Sequence, residues 1–374
     1  MVSAYKHIGD CIHLVDKRNT DSAITELVGL TVDKKYIPSV ANIIGTDLSK
    51  YKIISNKQFA CSLMQVSRDG KMPVAMYKGE SAIMSPAYPM FEVNDENEVM
   101  PEYLHMYLSR NEFDREAVFY AVGGVRGSLD WEDFCNMSIP VPPISEQRRI
   151  VSEYQTVERR IANNERLIKK LEETAGAIYH HTFVEGIDEN NLPEGWRKGN
   201  LFDICTVLYG YPFDSELFTN DKTQMPLIRI RDIIENVTDT YTSEKVDEKY
   251  IIRDGEILIG MDGGFHMTIW SGGCAYQNQR TVRIICDKEP FVSSIQVHKA
   301  IAPIIKSLES SIEGTTVAHL SDKHMRELTL ILAPSSIQKE VYTKFEMLKK
   351  NIILAKRENN HLRTLLSLLT SKLS

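Results

Sequence analysis

Residues 145–178 have the sequence SEQRRIVSEYQTVERRIANNERLIKKLEETAGAI, in which apolar residues recur at alternating steps of three and four. A repeat of 3.5 residues sustained over this length predicts a coiled-coil helix. Residues 341–369 repeat the pattern, and a helix of about 35–40 residues would span roughly 50–60 Å. The predicted seam positions are Ile150, Tyr154, Val157, Ile161, Asn164, Ile168, Leu171, Ala175, Ile178, Val341, Phe345, Leu348, Ile352, Ala355, Asn359, Leu362, Leu366 and Leu369.

The two helical segments belong to an internal repeat of roughly 190 residues. From Leu129 onward the two copies align without a gap, which makes chance similarity improbable and indicates duplication. Before each helix, short β-rich runs alternate with turn residues and helical pieces, a pattern typical of a mixed α+β domain. The aligned pairs include Asp69 with Asp262, Gly70 with Gly263, Leu129 with Leu320, Pro143 with Pro334 and Gln147 with Gln338.

These features predict an α+β fold with two globular domains separated by a long antiparallel two-helix coiled coil and related by a pseudo-two-fold repeat. Each seam carries one asparagine, and we expect Asn164 and Asn359 to hydrogen-bond across it and fix its register. The alternative is that each amide lies at a solvated edge. The predicted boundaries are 1–142 for the first domain, 143–183 for the first helix, 184–195 for a linker, 196–333 for the second domain and 334–374 for the second helix.

Composition limits the class of protein. The chain has 374 residues, 43% of them hydrophobic, but no uncharged apolar run of about 18 residues that would predict a membrane span, and no apolar signal core at its start. We therefore expect a cytoplasmic protein with no membrane partner. The six cysteines form no C-x-x-C pair, so a zinc site is not expected.

The net charge of −7 lies in the globular parts. Residues 1–142 hold 14 Lys and Arg against 19 Asp and Glu, and residues 184–333 hold 15 against 23. A nucleic-acid-binding face would therefore have to be a local basic patch, with partner subunits supplying further phosphate attraction.

Residues 123–147, GGVRGSLDWEDFCNMSIPVPPISEQ, lead from the first domain into its helix. This stretch resembles the junction between target-recognition domain and conserved helix in the specificity (S) subunits of type I restriction-modification systems. The specific feature is a proline pair that leads through Glu146 and Gln147 into a heptad helix. The second copy departs from this pattern, with one proline and Ile337 in place of the glutamate. This difference suggests that the two helix starts contact partners unequally.

The resemblance covers essentially the whole chain and implies a function. The two globular domains would be target-recognition domains, each reading one half of a split, asymmetric site in double-stranded DNA. The helices would set the spacer and bind two modification (methyltransferase) subunits, and restriction (helicase-nuclease) subunits would complete the complex. The chain itself would hold no cofactor, since S-adenosylmethionine and ATP would be bound by the partner subunits.

Catalytic signatures are absent from the sequence. It has neither a G-x-G-x-x-G nor a G-x-x-x-x-G-K-[ST] motif, and its histidines lack metal-ligand spacing. We therefore expect a non-catalytic subunit. Two alternatives are a coiled-coil scaffold or adaptor that binds only proteins, and a specificity subunit of a fused or single-chain restriction enzyme class.

Candidate DNA-contacting residues in the first domain come from two turns. The glycine-rich turn before the helix offers Arg126 and Ser128, and a glycine-rich backbone can approach phosphates closely. The turn RDGK, which we interpret as hairpin-like, offers Arg68 and Lys71. The alternative for both is an ordinary connection.

In the second domain, residues 262–266 (DGGFH) occupy the place of RDGK and expose His266. The alternation of Arg229 and Arg231 with isoleucines predicts that both emerge from one strand face. Residues 277–280 (QNQR) combine Gln and Asn, which can pair with adenine, and Arg, which can pair with guanine. The alternative is an exposed edge strand. The candidates from these last two segments are Arg229, Arg231, Gln277, Asn278 and Arg280.

Overall fold

The computed structural model describes residues 4–39, 46–64, 66–122, 127–312, 319–371 and 373. The chain divides into two compact units. The first comprises Met1–Arg160 together with Leu362–Ser374, and the second comprises Ile161–His361. Each of the two long helices therefore contributes one part to each unit.

The first unit begins with a mixed α+β domain. Its strands form a four-stranded sheet in the order β2-β9-β6-β7 and three two-stranded sheets, β1-β10, β3-β4 and β5-β8. The strands are β1 Ala4–His7, β2 Ile12–Leu14, β3 Val28–Leu30, β4 Tyr36–Pro38, β5 Lys52–Ser55, β6 Phe59–Cys61, β7 Val74–Met76, β8 Ser81–Met84, β9 Met90–Val93 and β10 Ser138–Val141. The helices are α1 Ile8–Cys11, α2 Val66–Asp69, α3 Pro101–Leu108, α4 Asn111–Tyr120, α5 Trp131–Asn136 and α6 Ile144–Phe183.

Aromatic side chains fill the core between the four-stranded sheet and helices α3 to α5. The rings of Phe59 and Phe91 stack with their centroids 5.0 Å apart, and Phe134 lies 5.7 Å from Phe91. The buried hydroxyl of Tyr103 donates to the Pro140 carbonyl at 2.9 Å, so that α3 is fastened to β10. Because β10 leads directly into α6, this core fixes the start of the first long helix.

The second unit contains a domain of the same design. Its sheets have the orders β12-β20-β17-β18, β13-β15-β14-β19-β16 and β11-β21. The strands are β11 Arg197–Asn200, β12 Thr206–Tyr209, β13 Phe218–Thr219, β14 Met225–Ile228, β15 Tyr241–Thr242, β16 Ile251–Ile252, β17 Ile257–Gly260, β18 Met267–Ile269, β19 Ala275–Gln277, β20 Thr281–Ile285 and β21 Thr329–Leu332. The helices are α7 Leu201–Ile204, α8 Ser294–Ile312, α9 Asp322–Arg326 and α10 Ser335–Ser371.

The topology confirms the duplication. In each copy the first strand pairs antiparallel with the strand that precedes the long helix, β1 with β10 and β11 with β21. The main sheets also correspond strand for strand, β2-β9-β6-β7 with β12-β20-β17-β18. The second copy differs in its minor sheet, where five strands form one sheet. The fold is therefore α+β with an internal repeat, as the sequence predicts.

Each long helix starts from a buried glutamine. The Gln147 side chain accepts a hydrogen bond from the Met100 amide at 2.9 Å and donates to the carbonyls of Glu98 and Pro142 at 2.7 and 2.8 Å. The aligned Gln338 accepts from the Ala333 amide at 3.2 Å and donates to the Phe291 carbonyl at 3.0 Å. Buried amides that satisfy backbone groups in this way fix the direction in which a helix leaves its domain.

Within the second unit, the α6 and α10 segments pack antiparallel. Asn164 contacts Asn359, and Glu172 forms an ion pair with Lys356 at 3.2 Å. Residues with higher numbers on α6 therefore meet residues with lower numbers on α10. The twelve predicted seam residues that lie in this unit are all buried or half-buried, and so are the six that lie in the first unit.

Candidate nucleic-acid interface

The first candidate surface lies on the connection between β6 and β7, which joins two antiparallel neighbours. Arg68 lies on the short helix α2, which ends at Asp69, and Gly70 then adopts a left-handed φ of 66°. Our hairpin-like interpretation of RDGK is thus wrong in detail, because a helical turn has been inserted at the tip of the connection. Glycine suits this position because a side chain would strain the left-handed backbone.

Both cations of this connection are paired with carboxylates. Arg68 Nε lies 2.8 Å from Asp69 Oδ1, and Lys71 Nζ lies 2.9 Å from Asp33 Oδ1. The hydrogen bond from Lys71 holds the pKa of the Asp33 carboxyl below its usual value. The basic side chains that could approach phosphate are therefore partly neutralised by their own domain.

The structure brings this connection against the end of the glycine-rich turn. A Cβ built on Gly127 would lie 3.1 Å from the Cβ of Ser67, and the backbone amide of Leu129 donates to the Leu63 carbonyl at 2.9 Å. Ser128, which lies between Gly127 and Leu129 in the sequence, is half-buried. Arg126 and the three residues before it lie outside the described residues.

The second domain repeats this arrangement. Residues 262–266 connect the antiparallel strands β17 and β18, Gly263 has a φ of 71°, and His266 is exposed. The Leu320 amide donates to the Met261 carbonyl at 2.8 Å, the counterpart of the bond made by Leu129. The counterpart of the glycine-rich turn, residues 313–316, lies outside the described residues.

The candidate surface of the second domain, formed by residues 262–266, contains Asp262, which bonds two other side chains. Its Oδ2 accepts from Arg280 Nη1 at 2.9 Å, and its Oδ1 lies 2.6 Å from His319 Nδ1. Burial opposes ionisation of this carboxyl, but the hydrogen bonds from His319 and Arg280 outweigh it and leave its pKa below the usual value. His319 could not be recognised as part of this site from the sequence, although the alignment of Asp262 with Asp69 was a signal that this carboxylate has a role in both copies.

Gln277 and Asn278 are not positioned to contact DNA in this structure. The Gln277 side chain is fully buried and donates to the carbonyls of Leu208 and Thr281 at 3.2 and 3.0 Å. The Asn278 side chain accepts from the Gln279 amide at 2.8 Å. Our expectation that both amides are offered to bases is wrong, because they satisfy backbone groups where β19 turns into β20. The alternative of an exposed edge strand is wrong as well, since β19 lies between β14 and β16 in its sheet. Arg280 alone of the three candidates in this segment is exposed.

Arg229 and Arg231 do not share a strand face, and that prediction is also wrong. Strand β14 ends at Ile228, and residues 230–232 form a 3₁₀ turn. The Asp232 side chain accepts from the Arg229 amide at 3.0 Å, which bends the chain out of the sheet. Arg229 is consequently half-buried against Thr240, whereas the Arg231 side chain is largely exposed.

Across the ranges that the structure describes, no three His, Cys, Asp or Glu side chains converge as a metal site requires. In the same ranges, no helix combines the length and the apolar character needed to cross a bilayer.

Comparison with known proteins places the chain in a family. Residues 39–173 and 193–364 match the family described as the type I restriction modification DNA specificity domain. The type I restriction enzyme EcoBI specificity subunit of Escherichia coli is 29% identical over 175 residues, covering 46% of this chain and 37% of that protein. The putative type I restriction enzyme MjaX specificity subunit of Methanocaldococcus jannaschii is 20% identical over 248 residues, covering 62% and 57%. The matches thus span less than two thirds of either relative.

A solved structure supports the fold. The S subunit of a type I restriction-modification system from M. genitalium superposes with a TM-score of 0.62 at 14% identity, covering 99% of this chain and 95% of that one. At this identity the likeness concerns the fold alone. The two segments that match the family together include more than half of the chain. The chain therefore belongs to the type I restriction-modification DNA specificity domain family.

Proposed function

We propose that this chain is the DNA sequence-specificity subunit of a type I restriction-modification complex. Each globular domain reads one half of a bipartite, asymmetric target in double-stranded DNA. The observation that carries the proposal is the repeated surface: the β6–β7 connection carries Arg68 and Lys71, and the equivalent β17–β18 connection carries His266 and Asp262, which binds Arg280. The surfaces differ in their residues, which suits two halves of different sequence.

The residues that we assign to DNA contact are those that the two surfaces expose. In the first domain these are Arg68 and Lys71, with Arg126 and Ser128 assigned from sequence. In the second domain they are His266 and Arg280, with Arg231 as a further exposed cation. Phosphate contacts would orient the subunit, and contacts to base edges would give it specificity. Gln277 and Asn278 are omitted from this set because they are buried, and Arg229 is omitted because its side chain is held against Thr240.

The long helices would act as the spacer between the reading domains and as the binding surface for two modification (methyltransferase) subunits. We keep the boundaries 1–142, 143–183, 184–195, 196–333 and 334–374 for this assignment. Buried Gln147 and Gln338 support it, because they couple each domain to the start of a helix. A rigid link between two readers sets half-site separation, as dimer spacing does in other DNA-binding proteins.

The partner subunits would carry out the catalytic steps. The modification subunits would bind S-adenosylmethionine, the restriction (helicase-nuclease) subunits would bind ATP, and this chain would contribute no catalytic group. The net charge of −7 favours weak DNA binding by the chain alone. Basic surfaces of the partners would supply much of the phosphate attraction.

The test is the methylation pattern of a host that expresses the chain with its modification partner. Sequencing that detects methylated bases should reveal one asymmetric motif, with two specified parts separated by a spacer of fixed length. Omitting this chain should abolish the pattern. A continuous motif, or methylation that persists without the chain, would contradict the proposal.

A further inference from the structure

Two aspartates, Asp69 and Asp262, occupy equivalent positions in the two copies, and each forms an ion pair with an arginine. Asp69 and Asp262 each precede a glycine in the left-handed conformation at the tip of an equivalent strand connection. Asp69 Oδ1 lies 2.8 Å from Arg68 Nε, and Asp262 Oδ2 lies 2.9 Å from Arg280 Nη1. Each carboxylate therefore holds one arginine of its candidate surface.

In each of these ion pairs the aspartate is far more buried than the arginine. The Asp69 and Asp262 side chains are 22% and 18% exposed, whereas those of Arg68 and Arg280 are 64% and 68% exposed. The carboxylates are thus largely enclosed and the guanidinium groups face solvent. Guanidinium has five N–H donors. Within the described part of the chain, each arginine uses one nitrogen for its aspartate, and the other side-chain N–H groups have no partner.

The two arginines come from different places in the chain. This argues against the view that the ion pairs serve only to stabilise the turns. Arg68 is the neighbour of its aspartate, but Arg280 comes from the separate β19–β20 connection, where its carbonyl accepts from the Met261 amide at 2.9 Å. Arg280 also has a φ of 62°, a conformation that a non-glycine residue adopts only at a cost. The two copies therefore form the same kind of aspartate–arginine pair with arginines from non-equivalent positions. An exposed ion pair adds little to stability, so stability alone does not explain this cost.

We propose that Asp69 and Asp262 are positioning residues that hold Arg68 and Arg280 to read one guanine in each half-site. This inference rests on the proposed function and extends it to a base. Guanine presents two acceptors, O6 and N7, on its major-groove edge, and the remaining adjacent N–H donors of a held arginine match that pair.

The carboxylate would improve discrimination in two ways. It orders the arginine before DNA arrives, which lowers the entropic cost of a base contact. It also offsets the positive charge that would otherwise attract any phosphate, and phosphate attraction is the sequence-independent part of binding. Both effects raise the ratio of specific to non-specific binding.

The experiment uses the full chain with its modification subunits and the methylation motif as the readout. Asp262→Asn and Arg280→Ala should relax the same single G·C position in the half read by the second domain and leave the other half unchanged. Asp69→Asn and Arg68→Ala should do the same in the other half. Discrimination at the affected base pair should fall roughly ten-fold. Asp221→Asn is the matched control, because Asp221 is exposed and its carboxylate bonds within its own turn, to Thr223 and Gln224.

The outcomes separate the two proposals. If the unaltered complex yields no bipartite motif, the proposed function itself is wrong. If the motif is bipartite but both Asp→Asn variants leave it unchanged, or lower methylation equally at every site, the inference is overturned and the function stands. Thermal unfolding of each variant, compared with Asp221→Asn, distinguishes relaxed reading from a damaged fold. The pair of variants in the first domain provides an independent test if a second-domain variant does not fold.

Discussion

The side-chain amides of Asn164 and Asn359 form a hydrogen bond between α6 and α10, with Asn164 Nδ2 donating to Asn359 Oδ1 at 2.9 Å. Asn164 also donates to Glu358 Oε2 at 2.9 Å, and both asparagines are buried. The contact is the one expected from the two heptad patterns. Because a paired polar group in an apolar seam is satisfied in one alignment of the helices, it fixes their register at some cost in stability.

Replacing one member of this pair should destabilise the protein more than replacing both. Asn164→Leu leaves the buried Asn359 amide without this partner, and we expect a loss of about 1–3 kcal/mol in the free energy of unfolding. Adding Asn359→Leu should recover most of that loss, since two leucines suit the seam. Urea unfolding of the two single variants and the double variant measures the coupling. Additive losses would show that the amides do not act as a pair.

The buried glutamines at the helix starts should be important for stability in both copies. Gln147→Ala and Gln338→Ala each remove an amide that satisfies several buried backbone groups, and we expect each to cost about 1–3 kcal/mol. Gln155→Ala, at an exposed position on α6, is the control and should have little effect. Thermal unfolding provides the comparison. Equal effects at positions 147 and 155 would argue against this role.

Much of the fold could be predicted because its signals are local. The 3.5-residue repeat follows from the positions of apolar residues, and the duplication follows from turns whose geometry needs particular residues. Gly70 and Gly263 illustrate this, since both adopt left-handed conformations where the copies align. The aligned Leu129 and Leu320 also each donate a backbone hydrogen bond to the connection that follows the corresponding strand, to Leu63 and Met261. Sequence matches at such positions report structure directly.

The errors concern side chains whose environment depends on distant residues. The alternation around Arg229 looked like a strand, but the Asp232 side chain caps the Arg229 amide and bends the backbone. Gln277 looked like a base reader, but strand β12 covers it and accepts its hydrogen bond. His319 became visible only when folding brought it to Asp262, 57 positions earlier in the chain. The spacing of apolar and polar residues along the chain does not predict these long-range contacts.

Two repeat-related histidines should make the protein sensitive to acid. His105 and His298 each lie in a cavity between their domain and a long helix, and burial lowers the pKa of each to about 4, with nearby lysines acting in the same direction. The unfolded value is about 6.5, so the unfolded chain binds more protons between these values. Stability should therefore be fully present above pH 6.5 and fall as the pH drops toward 4, by about 2–3 kcal/mol per histidine.

Urea unfolding measured from pH 7 to pH 5 tests this dependence above the range where most carboxylates titrate. The double variant His105→Gln, His298→Gln should give a flatter curve in that window. His181, which is exposed beside Glu185, provides the control, and His181→Gln should leave the slope nearly unchanged. An unaltered slope in the double variant would contradict burial as the cause.

A charge in the helix seam should disrupt the subunit. Ile161 and Ile352 are half-buried seam residues in the second unit, and aspartate at either position would place a carboxylate among apolar neighbours. We expect a loss of about 2–4 kcal/mol and loss of methylation at all sites. Asn163→Asp, at an exposed position next to the seam, is the matched control. Normal methylation by Ile161→Asp would show that this seam is not needed for assembly.

The central claim is that one domain reads one half of the target. The most direct measurement is the methylation motif of a chimera in which residues 196–332 are replaced by the corresponding domain of another specificity subunit. The account predicts that one half of the motif changes, while the other half and the spacer length stay the same. A motif in which both halves change, or in which neither changes, would contradict it.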